Sequence, residues 1–111
     1  MRTTRISDKI MSISSIELRG MWYDLYDEKG KKYCTLPSHI GDLLGFGANF
    51  FVIGRGSWYD LYDEKGRRYK SLPSHIGEFI SVNSGGFSVK RGSWIDLYNQ
   101  EGKKINTRPI K

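Results

Sequence analysis

Apolar and polar residues alternate in short runs along this chain, and glycines separate the runs. The last third shows the pattern most fully. "EFISV" (78–82) is rich in β-formers and is followed by the turn signal "NSGG". "FSVK" (87–90) alternates, and Gly92 permits a tight reversal. "WIDLY" (94–98) alternates again, and "NQEG" supplies a turn ending in Gly102. "KKINT" (103–107) reads as a further strand, stopped by Pro109. A two-residue period places successive side chains on opposite faces of a strand, and no window shows the 3.6-residue period of an amphipathic helix. The spacing predicts a four-stranded antiparallel meander with short loops, its glycines supplying the positive-φ positions of the turns.

The meander is written three times. Trp22, Trp58 and Trp94 stand 36 residues apart, and dividing at that period gives repeats 4–39, 40–75 and 76–111 of a single domain. Between 19–41 and 55–77, 18 of 23 positions are identical, and the linker "LPSHIG" recurs at 36–41 and 72–77. The likeness of these two copies reflects recent duplication. The third copy has drifted but keeps Arg-Gly, Trp, Asp-Leu-Tyr, the turn glycine, two basic residues and a proline. The first copy departs in one place: "SIEL" (15–18) is out of phase by one residue against "FSVK", which a bulge or a modified first strand would explain. A lone meander leaves an apolar face and two edges open. Three of equal length therefore predict an all-β body with pseudo-threefold symmetry, β-trefoil-like in the first instance. The alternatives are a β-prism of three sheets and three propeller blades completed by dimerisation.

The segment "GSWYDLYDEKG" locally resembles the aromatic hairpin of choline-binding cell-wall repeats, in which Gly, Trp-Tyr, Leu and a turn glycine recur. The likeness covers about a dozen residues per copy, and the period here is far longer. It is a shared way of building an aromatic hairpin and carries no function across.

Composition narrows the class. The 111 residues are 38% hydrophobic and 14% aromatic, enough for a core and against wholesale disorder. The N-terminal stretch has no uninterrupted apolar region of the secretory type, and no apolar run approaches a membrane span. A soluble, cytoplasmic protein with no membrane partner is expected. Cys34 is the single cysteine, so no intrachain disulfide forms. The net charge of +6 is concentrated in residues 76–111, which carry +3. Within "DEKGKK" the signs are interleaved, as in an ordinary solvated turn.

Candidate chemistry lies on the tryptophan strand. Alternation puts Trp22, Asp24 and Tyr26 on one face, as it does Trp58, Asp60, Tyr62 and Trp94, Asp96, Tyr98. The opposite face carries Tyr23 and Leu25, Tyr59 and Leu61, Ile95 and Leu97. One reading makes the tryptophans the core around a threefold axis, with each Asp held by turn amides or by Arg19, Arg55 and Arg91, because an unpaired buried carboxylate is too costly. The other turns Tyr/Ile and Leu inward, and leaves Trp, Asp and Tyr as an exposed stripe for stacking on sugars and accepting hydroxyl hydrogen bonds. That Ile95 replaces a tyrosine favours the second, since that face tolerates an aliphatic residue.

Other chemistry is not indicated. His39 and His75 are equivalent, but Lys111 takes the third place, and neither has ligands at metal spacing. Nothing orients Ser38 and His39 as a nucleophile pair. The glycines match no phosphate loop, and threefold repetition of the same residues argues against an active site. The expectation is a non-catalytic β-repeat binding module, multivalent and lectin-like, without metal or cofactor, with a glycan or protein ligand contacted by the nine Trp, Asp and Tyr residues. The alternatives are nucleic-acid binding through Lys31, Lys32, Arg67, Arg68, Lys103 and Lys104, and a protein-interaction or assembly element, a homo-oligomer included.

Overall fold

A computed structural model describes residues 12–83 and 85–110. The protein is all-β, built as three antiparallel sheets of three, four and four strands. The first sheet holds β1 (Ser15–Arg19), β2 (Trp22–Tyr26) and β3 (Lys32–Pro37). The second holds β4 (Asp42–Phe46), β5 (Phe50–Arg55), β6 (Trp58–Asp63) and β7 (Arg68–Pro73). The third holds β8 (Glu78–Asn83), β9 (Gly86–Arg91), β10 (Trp94–Asn99) and β11 (Lys104–Pro109). Each is a simple meander in chain order, and each lies within one 36-residue repeat. The segment that would supply a fourth strand to the first repeat lies outside the described residues. In the linkers, Ser38–Ile40 and Ser74–Ile76 form single turns of 3-10 helix.

Two kinds of turn shape every repeat. Between paired Arg19 and Trp22, Arg55 and Trp58, and Arg91 and Trp94 the chain reverses in two residues, the first a glycine at φ near +60°. At the far end of the strand, Oδ1 of Asp27 accepts from the amides of Lys29 and Lys31, Asp63 does the same for Lys65 and Arg67, and Asn99 for Glu101 and Lys103. A side chain that mimics the backbone in this way fixes a turn whatever lies beside it. The register then shifts by one residue after Leu25, Leu61 and Leu97.

The sheets stack face to face, and the packing is directional. On β5 and β6, Phe51, Ile53, Trp58, Asp60 and Tyr62 share one face, here the tryptophan face; Phe50, Val52, Tyr59 and Leu61 share the other, the leucine face. The first core joins Tyr23 and Leu25, from the leucine face of sheet one, to Phe51, Ile53 and Tyr62, from the tryptophan face of sheet two. The second joins Phe50, Val52, Tyr59 and Leu61 of sheet two to Phe87, Val89 and Tyr98 of sheet three. The leucine face of one sheet thus meets the tryptophan face of the next, twice. Stacked rings (Phe51 on Tyr62, Phe87 on Tyr98) repeat the same contact in sheets two and three.

Polar contacts repeat as well. The hydroxyls of Tyr23 and Tyr59 donate to the carbonyls of Gly41 and Gly77 at 2.7 and 2.6 Å. Those of Tyr33 and Tyr69 donate to the carbonyls of Glu64 and Gln100, in the turns of the following sheet. Burial holds the Tyr33 and Tyr69 phenols in their neutral form, raised to about 12.

The out-of-phase "SIEL" is not a bulge, because β1 pairs with β2 in unbroken register. Its phase instead sends Ile16 and Leu18 to the leucine face and leaves Ser15 and Glu17 on the tryptophan face. Sheet one has a neighbour only on its leucine side among the described residues, so only that side needs apolar residues there.

Leu61 is fully buried whereas Leu97, at the outer side of sheet three, is half-buried. Leu61→Ala is therefore expected to lower the unfolding free energy by about 2–5 kcal/mol, and Leu97→Ala by clearly less, as read from urea denaturation.

Candidate functional site

The Arg-Gly-x-Trp-x-Asp hairpin forms the same constellation in each sheet. The arginine precedes the glycine turn, the tryptophan follows it, and the aspartate stands two residues further on the same face, within reach of the guanidinium. Nε of Arg19, Arg55 and Arg91 donates to Oδ2 of Asp24, Asp60 and Asp96 at 2.6, 2.6 and 2.7 Å, and Nη2 donates to Oδ1 at 3.2, 3.1 and 3.1 Å. This two-point geometry is the strong form of an arginine–carboxylate pair. Oδ1 also accepts from the hydroxyls of Thr35, Ser71 and Thr107 at 3.1, 2.6 and 2.8 Å. A second cation stands near Oδ2: Lys32 at 3.8 Å, Arg68 at 3.6 Å and Lys104 at 3.7 Å.

The carboxylates are buried and fully partnered. The hydrogen bonds from Arg19 hold Asp24 below the ordinary carboxylate range, and those from Arg91 hold Asp96 down at about 2. At Asp60 burial opposes the charge, but Arg55 and Ser71 outweigh it and the shift is again downward. A carboxylate in this state is a poor proton acceptor and a poor nucleophile. It is a structural anchor that aims its arginine. With two cations about each carboxylate, the constellations of sheets two and three carry a local charge of about +1, whereas in sheet one Glu17, paired with Asp24 on the same face, offsets it.

The structure separates the nine residues expected to form one stripe. Trp22, Trp58 and Trp94 are 44%, 42% and 43% exposed, which overturns the reading of the tryptophans as core. The physical reason is position: each opens its strand beside the hairpin turn, at the margin of the stack, paired with Pro37, Pro73 or Pro109. Asp24, Asp60 and Asp96 lie inside, held by the arginines that their burial demanded. Tyr62 and Tyr98 are buried in the cores, and Tyr26 is half-buried. Tyr23, Leu25, Tyr59 and Leu61 are buried on the other face, so β6, in the middle sheet, is enclosed from both sides. The hydroxyl residue at 35, 71 and 107 was not singled out from sequence; its signal is a Thr or Ser in all three copies at one spacing from the aspartate.

The six basic residues do not act as one set. Lys32, Arg68 and Lys104 neighbour the buried aspartates, while Lys31, Arg67 and Lys103 belong to the acidic turns, where Arg67 stands 3.7 Å from Asp63. The turns at Asp63 and Asn99 border a depression of about 310 Å³ lined by Asn49, Asp63, Glu64, Tyr69, Gln100 and Glu101, three of them carboxylates. His39 and His75 are exposed on their helical turns. Burial raises the Cys34 thiol, which faces the carbonyl of Lys65 at 3.7 Å. Among the described residues no group of three or more His, Cys, Asp or Glu is placed to hold a metal ion, and no helix is long and apolar enough to cross a membrane. Comparison with known protein families, with curated proteins and with solved structures gives no match.

Because the folded state lowers the aspartate pKa values, their stabilisation is present above the unfolded carboxylate value near 3.8 and is lost as pH falls toward the folded value, about 2 for Asp96. Acid titration of the fold, followed by tryptophan fluorescence, is expected to show falling stability between about pH 4 and pH 2, with a shallower fall in Asp96→Asn.

Proposed function

We propose that this chain is a non-catalytic, multivalent, lectin-like binding module whose ligand-contacting surface is the repeated pair Trp22/Arg19, Trp58/Arg55 and Trp94/Arg91. One observation carries the reading. The three tryptophans keep the same half-exposure, 42–44%, although the faces they stand on are covered to different extents in the three sheets. Core packing does not account for a large apolar ring left in water three times over.

The chemistry of the pair defines the ligand. An indole face stacks on the apolar face of a sugar ring. The aspartates, with both oxygens engaged, do not serve as acceptors for sugar hydroxyls, and the outward polar groups are instead the guanidinium N–H groups left over from the Asp clamp. These suit a carboxylate or sulfate, so the ligand is an extended glycan bearing acidic groups. Packed sheets lie about 10 Å apart, so neighbouring pairs meet successive units of such a chain, and modest single contacts sum to useful avidity. A second reading, single-stranded nucleic acid, draws on the same local positive charge, with bases stacked on the indoles and phosphates on the arginines.

Titration of tryptophan fluorescence with an acidic oligosaccharide, its neutral counterpart and a single-stranded oligonucleotide separates these. The acidic sugar is expected to bind best. Trp58→Ala is expected to retain a cooperative unfolding transition and weaken binding several-fold, and the triple Trp→Ala variant to abolish it. Preference for the oligonucleotide supports the second reading, and loss of the fold in Trp58→Ala would return the indole to a structural role.

A further inference from the structure

The same heterologous interface occurs twice inside the chain. Among the described residues one half of it is left uncovered on the tryptophan face of sheet one and the other on the leucine face of sheet three. Their exposure shows the vacancy. Gly66 and Gly102 sit against the preceding sheet, with Cys34 and Leu36 or Lys70 and Leu61 within 3.4 Å of an added Cβ, whereas the equivalent Gly30 faces open space. Leu25 and Leu61 are fully buried, whereas Leu97 is half-buried. Tyr33 and Tyr69 reach the next sheet, whereas their counterpart Ile105 is 60% exposed.

At one apolar contact of the interface, the residues on the two free faces are charged and opposite in sign. In the first core Ile53 packs in one cluster with Leu36, and in the second Val89 packs in one cluster with Leu72. The end positions equivalent to Ile53 and Val89, and to Leu36 and Leu72, are Glu17 and Arg108, both exposed. Lys90 also stands on the leucine side, opposite Glu78, where sheet two has Gly54 opposite Asp42. A contact that is apolar within the chain is thus rewritten as an acid on one free face and a base on the other.

We infer that the occupant of each free face is a second copy of this chain: the leucine face of sheet three of one copy packs on the tryptophan face of sheet one of another, with Arg108 meeting Glu17 of the neighbour. Ile95, Leu97 and Ile105 supply the apolar part of the contact. The interface is heterologous, so it closes into a ring when two copies satisfy it twice, giving six sheets, and otherwise continues as an open fibre. The charge pair sets the register between copies and discriminates it from the apolar contacts inside the chain.

The test is a charge swap on the full chain. Wild-type protein, followed by sedimentation velocity and light scattering over a rising concentration series, is expected to show species of at least twice the mass of one chain. Glu17→Arg and Arg108→Glu are each expected to weaken association at least tenfold while unfolding as cooperatively as wild type, since both side chains are exposed. Mixing the two variants is expected to restore association, because each then offers the other a matched pair at both faces. A wild-type chain that stays monomeric at every concentration, or association indifferent to both substitutions, would overturn the proposal and make the polar ends caps of a closed three-sheet stack.

Discussion

Leu61 and Tyr62 are adjacent in sequence, point to opposite sides of their sheet, and are both buried. A strand in that situation needs a packed layer on each side, and a single meander provides neither. The need is met by supplying copies of the same sheet, each presenting its leucine face to the tryptophan face of its successor. Directionality follows from the unlikeness of the two faces. The tyrosine hydroxyls that bond backbone carbonyls in the linker and in the next turn hold the layers in register, since an apolar contact alone tolerates sliding.

Set into this apolar frame is one charged residue per sheet. A buried aspartate in the middle of a strand destabilises the fold unless both oxygens are satisfied. The hairpin satisfies them locally: arginine five residues earlier, a hydroxyl eleven residues later, and a further cation beside them. The consequence lies on the outside. The clamp immobilises the guanidinium beside the indole, so the exposed part of each repeat is held rigid by a carboxylate that is itself buried. Preorganisation of this kind lowers the ordering cost of binding.

Much of the architecture was legible in the sequence. Glycine spacing, two-residue alternation and the 36-residue period gave an all-β chain of meanders, and the cost of burying a carboxylate pointed to Arg19, Arg55 and Arg91. The tryptophans were harder. Alternation reports which residues share a face but not whether that face is covered, and in sheet two both faces are covered along most of the strand. Exposure of Trp58 is decided by its place at the strand's end, beside a two-residue turn, which periodicity does not weigh. Ile95 did carry a signal, since it stands where Tyr23 and Tyr59 bond the linker carbonyls of Gly41 and Gly77. Thr35, Ser71 and Thr107 were overlooked because a hydroxyl in a strand is ordinarily unremarked, and only its distance from the aspartate gives it meaning.

The phase of β1 has a consequence for how the chain finds its own order. Repeats one and two are so alike that, judged by their hairpins, either could occupy the other's place, and neighbouring repeats of high identity are prone to mispairing and strand exchange during folding. Ser15 and Glu17 remove that ambiguity. With polar residues where Phe51 and Ile53 stand in the second sheet, the first sheet cannot take the third sheet's place behind sheet two without burying Glu17 against apolar Leu72. A one-residue change of phase thus acts as an address label, written in four residues, that says which copy comes first.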